Sequence, residues 1–352
     1  MTTETMRAVR TVAARTLDYV TVPLPAVSSG EALVHIEHVT LCGTDLHIFE
    51  DDYASELPLV QGHEISGTVA EVAPGVETVE VGDRVAVDPL IACGQCQACR
   101  SGHDNVCPYL TVFGCYRDGG LVEYLSVAAA RLHRIPEGMP TELGSVAEPT
   151  AISLEAVARG QAIEGESALV LGAGPIGLLA TLALHDLGVT VITADTIPDR
   201  LEFAREFGAD GTLLIDPEQQ FPVADLASAL ESSAPDGPQL VIEATGVPSS
   251  LGNAINVVAP AGRVVQVGIS TRPADFPLNL LPFKEISLLG SRNSRGLIPR
   301  ALDLISRYPE TVDALITHRF DLRDLNQAFE TMRDTSRRIG KILIDMPTKE
   351  AS

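Results

Sequence analysis

Lysine is scarce in this chain: Lys284, Lys341 and Lys349 stand beside 22 arginines, and 25 basic residues face 47 acidic ones for a net charge of −22. So negative a chain repels phosphate backbones, which excludes nucleic acid as a partner but leaves room for one small anion in a local basic pocket. Acid-rich, lysine-poor surfaces suit high-salt solvent, yet compositional bias with ordinary solubility accounts for them more simply. Long apolar runs are missing as well. None approaches the ~20 residues needed to cross a bilayer, and the opening MTTETMRAVR lacks the apolar stretch of a secretion signal. A soluble, cytoplasmic protein without a membrane partner is expected. Internal repeats, low-complexity tracts and long linkers are also lacking.

What is present describes a globular chain. Apolar residues make up 45% and charged residues 20%, the balance of a core-forming protein, and 352 residues suggest two domains or one large one. The first 150 residues read as β-rich, with strands expected at 32–39, 67–72, 84–87 and 121–127 between Gly, Pro and Asp. Glu148-Pro149 precedes a helical stretch at 152–159, and from Ser167 strands and helices alternate. Strands at 168–171, 190–194, 211–215, 240–244, 263–267 and 286–289, with helices at 176–187 and 200–207, indicate a doubly wound parallel sheet. Two amphipathic helices, near 298–306 and 323–333, precede a closing strand at 341–344 that has no place in a simple βα series.

Six cysteines occur, four of them within 15 residues: Cys93, Cys96, Cys99 and Cys107, spaced C-x2-C-x2-C-x7-C. Four thiolates on one turn-rich loop close a tetrahedral shell around Zn²⁺ and leave no position for substrate, so this zinc is expected to be structural. The second motif is Gly172-Ala-Gly174-Pro175-Ile176-Gly177, after a strand and opening a helix. Gly172 permits the tight turn, Gly174 lets the backbone approach a pyrophosphate, and Gly177 allows close helix–sheet packing. Asp195 ends the next strand, 18 residues after Gly177, where a carboxylate accepts from ribose hydroxyls and repels a 2′-phosphate. NAD is therefore favoured over NADP, with Arg200 nearby to soften the preference. Thr245, Val267 and Ile269 end late sheet strands, where dinucleotide clefts form.

The third set is dispersed: Cys42-Gly-Thr44-Asp45-Leu-His47, Gly62-His63-Glu64 and Glu148-Pro149. Spacing alone leaves a metal site and ordinary core or surface roles both open. Taken together, however, these segments, the four-cysteine loop and the glycine turn resemble the zinc-dependent medium-chain alcohol dehydrogenases, in order and spacing from about residue 6 to 346. Within them the chain resembles the sorbitol and threonine dehydrogenase branch. Leu289-Gly-Ser-Arg292-Asn293 and Glu243-Ala-Thr245-Gly246 are similar to bacterial hexonate 5-dehydrogenases of the L-gulonate or L-galactonate type.

The resemblance implies a GroES-like β-rich catalytic domain built from both chain ends (1–152 and 294–352), with a Rossmann domain inserted at 153–293. It implies two zinc ions per chain, the catalytic one held by Cys42, His63 and a glutamate, with Glu64 and Glu148 both close to it. A secondary alcohol of a polyol or sugar acid is the implied substrate, hydride passing to NAD. The implied route for the proton runs from Thr44 through ribose or water to His47, imidazole being the side chain suited to accept a proton near neutral pH. Arg292, with Asn293 beside it, is the expected partner of a substrate carboxylate, though a surface ion pair explains it as well. L-Threonine 3-dehydrogenase and sorbitol-type polyol dehydrogenase are the rival activities. A non-catalytic nucleotide- and zinc-binding module is the rival of a different class. A homo-oligomer, tetramer or dimer, is implied. Cys115 belongs to neither zinc set and reads as a small buried residue.

Overall fold

The computed structural model describes residues 4–230, 234–334 and 338–347; Lys349 lies outside them. The chain divides into two compact units, one made of residues up to Glu148 and from Ile298 onward, the other of Pro149–Leu297. Among the described residues no helix is long and apolar enough to cross a membrane.

The first unit is built on a seven-stranded sheet. Its path runs Ile316–Asp321, Lys341–Asp345, Glu31–Leu41, Glu64–Val72, Arg84–Val87 and Leu132–Arg134, with Tyr124–Ala128 also paired to Glu31–Leu41. The closing strand of the chain thus enters a sheet made by its beginning, antiparallel to Glu31–Leu41 with Ile342 opposite Leu41 and Leu343 opposite Thr40. Thr40 in turn faces Glu64 on the other side. Val34, Ile36 and Val39 bury one face of the central strand. The stacked rings of Phe49 and Phe329, 4.2 Å apart, join the two chain ends in the same core. The hairpin Thr5–Ala13/Thr16–Pro23 was not anticipated. Burial alternates over Thr5–Ala8 and Asp18–Pro23 but slips at Val9 and at Leu17–Asp18, and no residue of the second strand is fully buried, so the period-2 signal is short.

Two boundaries are corrected. The strand expected at 121–127 runs over Tyr124–Ala128, Val122 making only an isolated bridge to Ala8. The helix expected to begin at Ile152 spans Ala147–Arg159. Glu148 and Pro149 lie in its first turn, where a proline loses no intrahelical hydrogen bond.

The second unit is a six-stranded, all-parallel sheet ordered Gly211–Leu214, Thr190–Asp195, Ser167–Leu171, Leu240–Glu243, Arg263–Gln266, Ser287–Gly290. Strand order reverses at Ser167–Leu171, the position where open α/β sheets form ligand crevices. All five residues of that strand are buried, as a strand covered on both faces requires. The helix Pro175–Asp186 that follows is apolar for the same reason, burying Leu178, Leu179, Leu182 and Leu184. Arg263 crosses the base of the sheet and grips Glu166 through both oxygens (2.8 and 2.5 Å), while its Nε donates to the Gly160 carbonyl.

Candidate active site

Cys42 leaves the Glu31–Leu41 strand and caps the helix Gly43–Phe49. Asp45, three residues on, is fully buried; it accepts from the Cys42 N–H at 2.9 Å and the Gly62 N–H at 3.2 Å. One carboxylate thereby ties the cysteine turn to the Gly62-His63-Glu64 segment. Gly62 holds φ +92°, and a Cβ there would lie 2.9 Å from Val39 Cγ1, so no side chain fits. His63 Nδ1 lies 3.7 Å from Asp45 Oδ2 and 3.7 Å from Cys115 Sγ. Burial opposes a charge on His63, but the facing Cys115 and Asp45 outweigh it and hold its pKa well above the usual range.

Donor atoms of Cys42, His63 and Glu64 all lie within 4.8 Å of one another. A thiolate, an imidazole and a carboxylate at that separation fit a zinc ion with a position left open. Glu148 stands outside this group but is buried beside it, with Oε2 lacking any hydrogen-bond partner. Burial, with the Glu64 charge adding, pushes its pKa up to about 7 against the opposing pull of His63. Thr44 Oγ1 sits 3.9 Å from Cys42 Sγ. His47 is not part of the buried cluster: it is exposed at the far end of the same short helix, with Nδ1 2.9 Å from Asp52 Oδ1. Cys115 is buried, as expected, but is more than a filler, since it faces His63.

Two site residues escaped the sequence reading. Asp45 stands in the quoted motif, and its i+3 spacing from Cys42 is the signature of a capping residue. Lys341 carried one signal only, a lysine opening the otherwise apolar strand of a lysine-poor chain. It is 3% exposed, and its Nζ meets Glu64 Oε1.

The four-cysteine loop converges as its spacing predicts. Sulfur separations are 3.4 Å for Cys96–Cys99, 3.8 Å for Cys96–Cys107 and 4.0 Å for Cys93–Cys99. The edge of a tetrahedron with Zn–S bonds of about 2.3 Å is roughly 3.8 Å, so the set fits. Backbone N–H groups of Cys96, Cys99 and Tyr109 point at the sulfurs of Cys93, Cys96 and Cys107. Such donors favour thiolates: the backbone N–H of Gln95 first and that of Cys96 next draw the Cys93 thiol down to about 6, while desolvation and the neighbouring thiols push Cys99 up to about 12.

In the second unit Gly172 takes φ +102°, and a Cβ on Gly177 would lie 1.8 Å from the Gly172 carbonyl oxygen. A Cβ on Gly174, which caps the helix beginning at Pro175 and Ile176, would meet nothing within 4 Å. The turn is therefore packed tightly on the sheet side and open where a pyrophosphate would approach. Asp195 Oδ2 accepts from the Ala173 N–H at 2.7 Å and Oδ1 from the Ile197 N–H at 3.0 Å; Arg200 Nη1 lies 3.9 Å away. A cavity of about 500 Å³ opens at the carboxyl ends of these strands, lined by Thr196, Ile215, Phe221, Thr245 and Val247. Thr245 is fastened to buried Glu243. None of Thr245, Val267 and Ile269 ends a strand, because pairing stops at Glu243 and at Gln266, and Ile269 is 86% exposed. Arg292 is exposed and Asn293 half-buried with φ +52° in the segment after Ser287–Gly290. Arg159 Nε on the Gly290 carbonyl (3.1 Å) and Glu155 on Arg295 (2.8 Å) hold that segment.

Known proteins resemble this chain in sequence and fold. The alcohol dehydrogenase GroES-like domain family matches residues 28–137 and the zinc-binding dehydrogenase family residues 175–307. The L-threonine 3-dehydrogenase of Pyrococcus horikoshii is 33% identical over 93% of this chain and 94% of its own. The L-galactonate-5-dehydrogenase of Escherichia coli K12 is 35% identical over 87% and 89%. The crystal structure of the alcohol dehydrogenase rspB of E. coli CFT073, complexed with cofactor NADH, superposes with a TM-score of 0.89 at 34% identity, covering 97% of this chain and 99% of that one. The chain belongs to the zinc-type medium-chain alcohol dehydrogenases, with their GroES-like and Rossmann-like domains. Its relatives include a sorbitol dehydrogenase, an L-galactonate-5-dehydrogenase and L-threonine 3-dehydrogenases.

Proposed function

We propose that this protein oxidises a secondary alcohol of a polyol or sugar acid, such as an L-gulonate- or L-galactonate-type hexonate at C5, with NAD as hydride acceptor and two zinc ions per chain. The observation that carries the reading is the Cys42–His63–Glu64 donor set, half-buried at Cys42 and buried at the other two, with the unpartnered Glu148 carboxylate oxygen beside it. Zinc, when bound there, polarises the alcohol oxygen, and NAD, when bound, accepts hydride.

The rest falls to the chain's own residues. Cys42, His63 and one carboxylate, Glu64 or Glu148, would hold the catalytic metal, and Asp45 and Cys115 fix the His63 ring. Thr44, beside Cys42, is the proposed first hydroxyl on the proton's way out, and His47, paired with Asp52 at the surface, its acceptor. Cys93, Cys96, Cys99 and Cys107 would hold the structural zinc. Gly172, Gly174, Pro175, Ile176 and Gly177 offer the turn and helix end to a pyrophosphate. Asp195 supports NAD over NADP, and Arg200 near the same carboxylate bounds that preference. Thr245 and Val247 line the neighbouring cavity; Val267 and Ile269 follow the next strand. Arg292 is the proposed carboxylate partner, with Asn293 next to it.

The proposed setting is the cytoplasm, and the proposed assembly a homo-oligomer. Ser287–Gly290 is an edge strand, and Leu278, Phe283 and Leu288 are exposed in the same stretch of chain at 73%, 80% and 40%. Threonine oxidation is the second reading, favoured by the identity to the Pyrococcus enzyme. Steady-state NAD reduction across hexonates, polyols and threonine tests the proposal. A hexonate is expected to give the highest kcat/KM. Preference for an uncharged polyol over every hexonate removes the Arg292 role, and preference for threonine selects the second reading.

A further inference from the structure

Glu243 is a buried carboxylate that the proposed reaction leaves without a role. It ends the strand Leu240–Glu243 and is fully buried. Oε1 accepts from the Thr245 N–H at 2.8 Å and from the Thr245 hydroxyl; Oε2 accepts from the Gly246 N–H at 3.1 Å and from Gln266 Nε2 at 2.5 Å. All four partners donate, an arrangement that suits the ionised form. A buried charge ordinarily has a counter-charge, as Glu166 of the same unit has in Arg263. Among the described residues no lysine, arginine or histidine bonds to Glu243. Its negative charge is held by neutral donors alone. Two chain segments meet around it, since Val267 and Gly268 donate their N–H groups to the Glu243 carbonyl and Gln266 Nε2 also donates to the Gly268 carbonyl at 2.7 Å. The same turn abuts the glycine turn, because a Cβ on Gly172 would lie 2.8 Å from Thr245 Cγ2. Glu243 and Asp195 end strands on opposite sides of Ser167–Leu171. A dinucleotide straddles such a switch point, so with its adenosine ribose at Asp195 its nicotinamide half falls on the Glu243 side. Gln266 Oε1, buried and without a partner, is an acceptor left there for a ligand.

We propose that the uncompensated charge of Glu243 selects the oxidation state of the cofactor, favouring the cationic nicotinamide of NAD⁺ over the neutral ring of NADH. Such a bias helps the oxidised form in and the reduced form out, the order an alcohol oxidation needs. The pyrophosphate is common to both forms, so its repulsion by the carboxylate cancels when the two are compared. Glu243 acts through its field and not by contact, and the inference rests on the reading of NAD as the cofactor. A merely structural role differs in one observable: a loosened turn weakens both forms alike, whereas a lost charge weakens NAD⁺ selectively.

The test is isothermal titration calorimetry of the full-length, zinc-loaded protein with NAD⁺ and with NADH, read as the ratio of Kd for NAD⁺ to Kd for NADH. E243Q should raise that ratio by about threefold or more, the effect of one unit charge across about 10 Å at an effective dielectric between those of protein and water. Q266K leaves the carboxylate in place and supplies the missing cation beside it, and should raise the ratio likewise; should E243Q not fold, Q266K decides. Q266M removes the same amide without changing charge, so it should weaken both forms together and keep the ratio within about twofold of wild type. An unchanged ratio in Q266K or in folded E243Q overturns the proposal. So does a rise in Q266M equal to that in Q266K, which would assign the effect to packing of the turn. Wild-type protein that binds neither form would overturn the NAD reading itself. Protein that binds both, with a ratio that the charge changes leave unmoved, loses the selection alone.

Discussion

Asp45 shows how much of the site depends on groups that never meet substrate. Its carboxylate fixes the Cys42 turn and the Gly62 backbone, and it faces His63 Nδ1 across 3.7 Å. An amide has one acceptor oxygen, so it keeps the Cys42 cap but gives up the Gly62 bond and the charge that orients the imidazole. D45N should therefore fold while losing about 10- to 100-fold in zinc affinity or turnover, read by metal competition and steady-state rates. Gly177 is a second residue whose role is steric, since its Cβ would run into the Gly172 carbonyl oxygen at 1.8 Å. G177A should lose about 2 kcal/mol or more of stability through overpacking and bind NADH more weakly, as measured by fluorescence titration.

Between elements, the Rossmann-like unit is fastened where Arg263 grips Glu166. Burial disfavours the Glu166 charge, but the Arg263 hydrogen bonds outweigh it and hold the carboxyl below its usual value. A depressed folded-state pKa contributes stability above the unfolded value of about 4.3, lost as pH falls through the folded one. E166Q should cost about 1–2 kcal/mol in chemical denaturation at neutral pH, and the gap to wild type should close below pH ~4. A gap that persists in acid would mean that packing, not charge, holds the two together. The scale of elements also explains what the sequence made legible. The cysteine loop and the glycine turn are local, so spacing carries their geometry. The alternation of strands and helices after Ser167 likewise gave the parallel sheet. Lys341 and Glu64 are 277 residues apart, joined only because the last strand docks against the third in one register, which no local pattern encodes. Cys115 facing His63 and the start of the Ala147–Arg159 helix before its proline were hidden for the same reason: tertiary packing decided them.

At the scale of the whole molecule, a charge of −22 repels polyanions but leaves room for the proposed single pyrophosphate, which backbone N–H groups at a helix end would bind. The exposed edge of the six-stranded sheet is where association should occur. Replacing Leu288, 40% exposed on that edge, by aspartate should shift the protein to smaller species in light scattering while leaving the monomer folded. An unchanged mass would assign association to another surface.

The central claim is that oxidation takes place at the Cys42–His63 cluster, while the four-cysteine loop serves stability. Zinc content and NADH formation, measured on the same preparations of wild type and C42S, test it most directly. The account predicts two zinc ions and turnover in the wild type. In C42S it predicts one zinc ion, a native melting profile and turnover reduced to background. A C42S protein that has lost that zinc and still reduces NAD at the wild-type rate would contradict it.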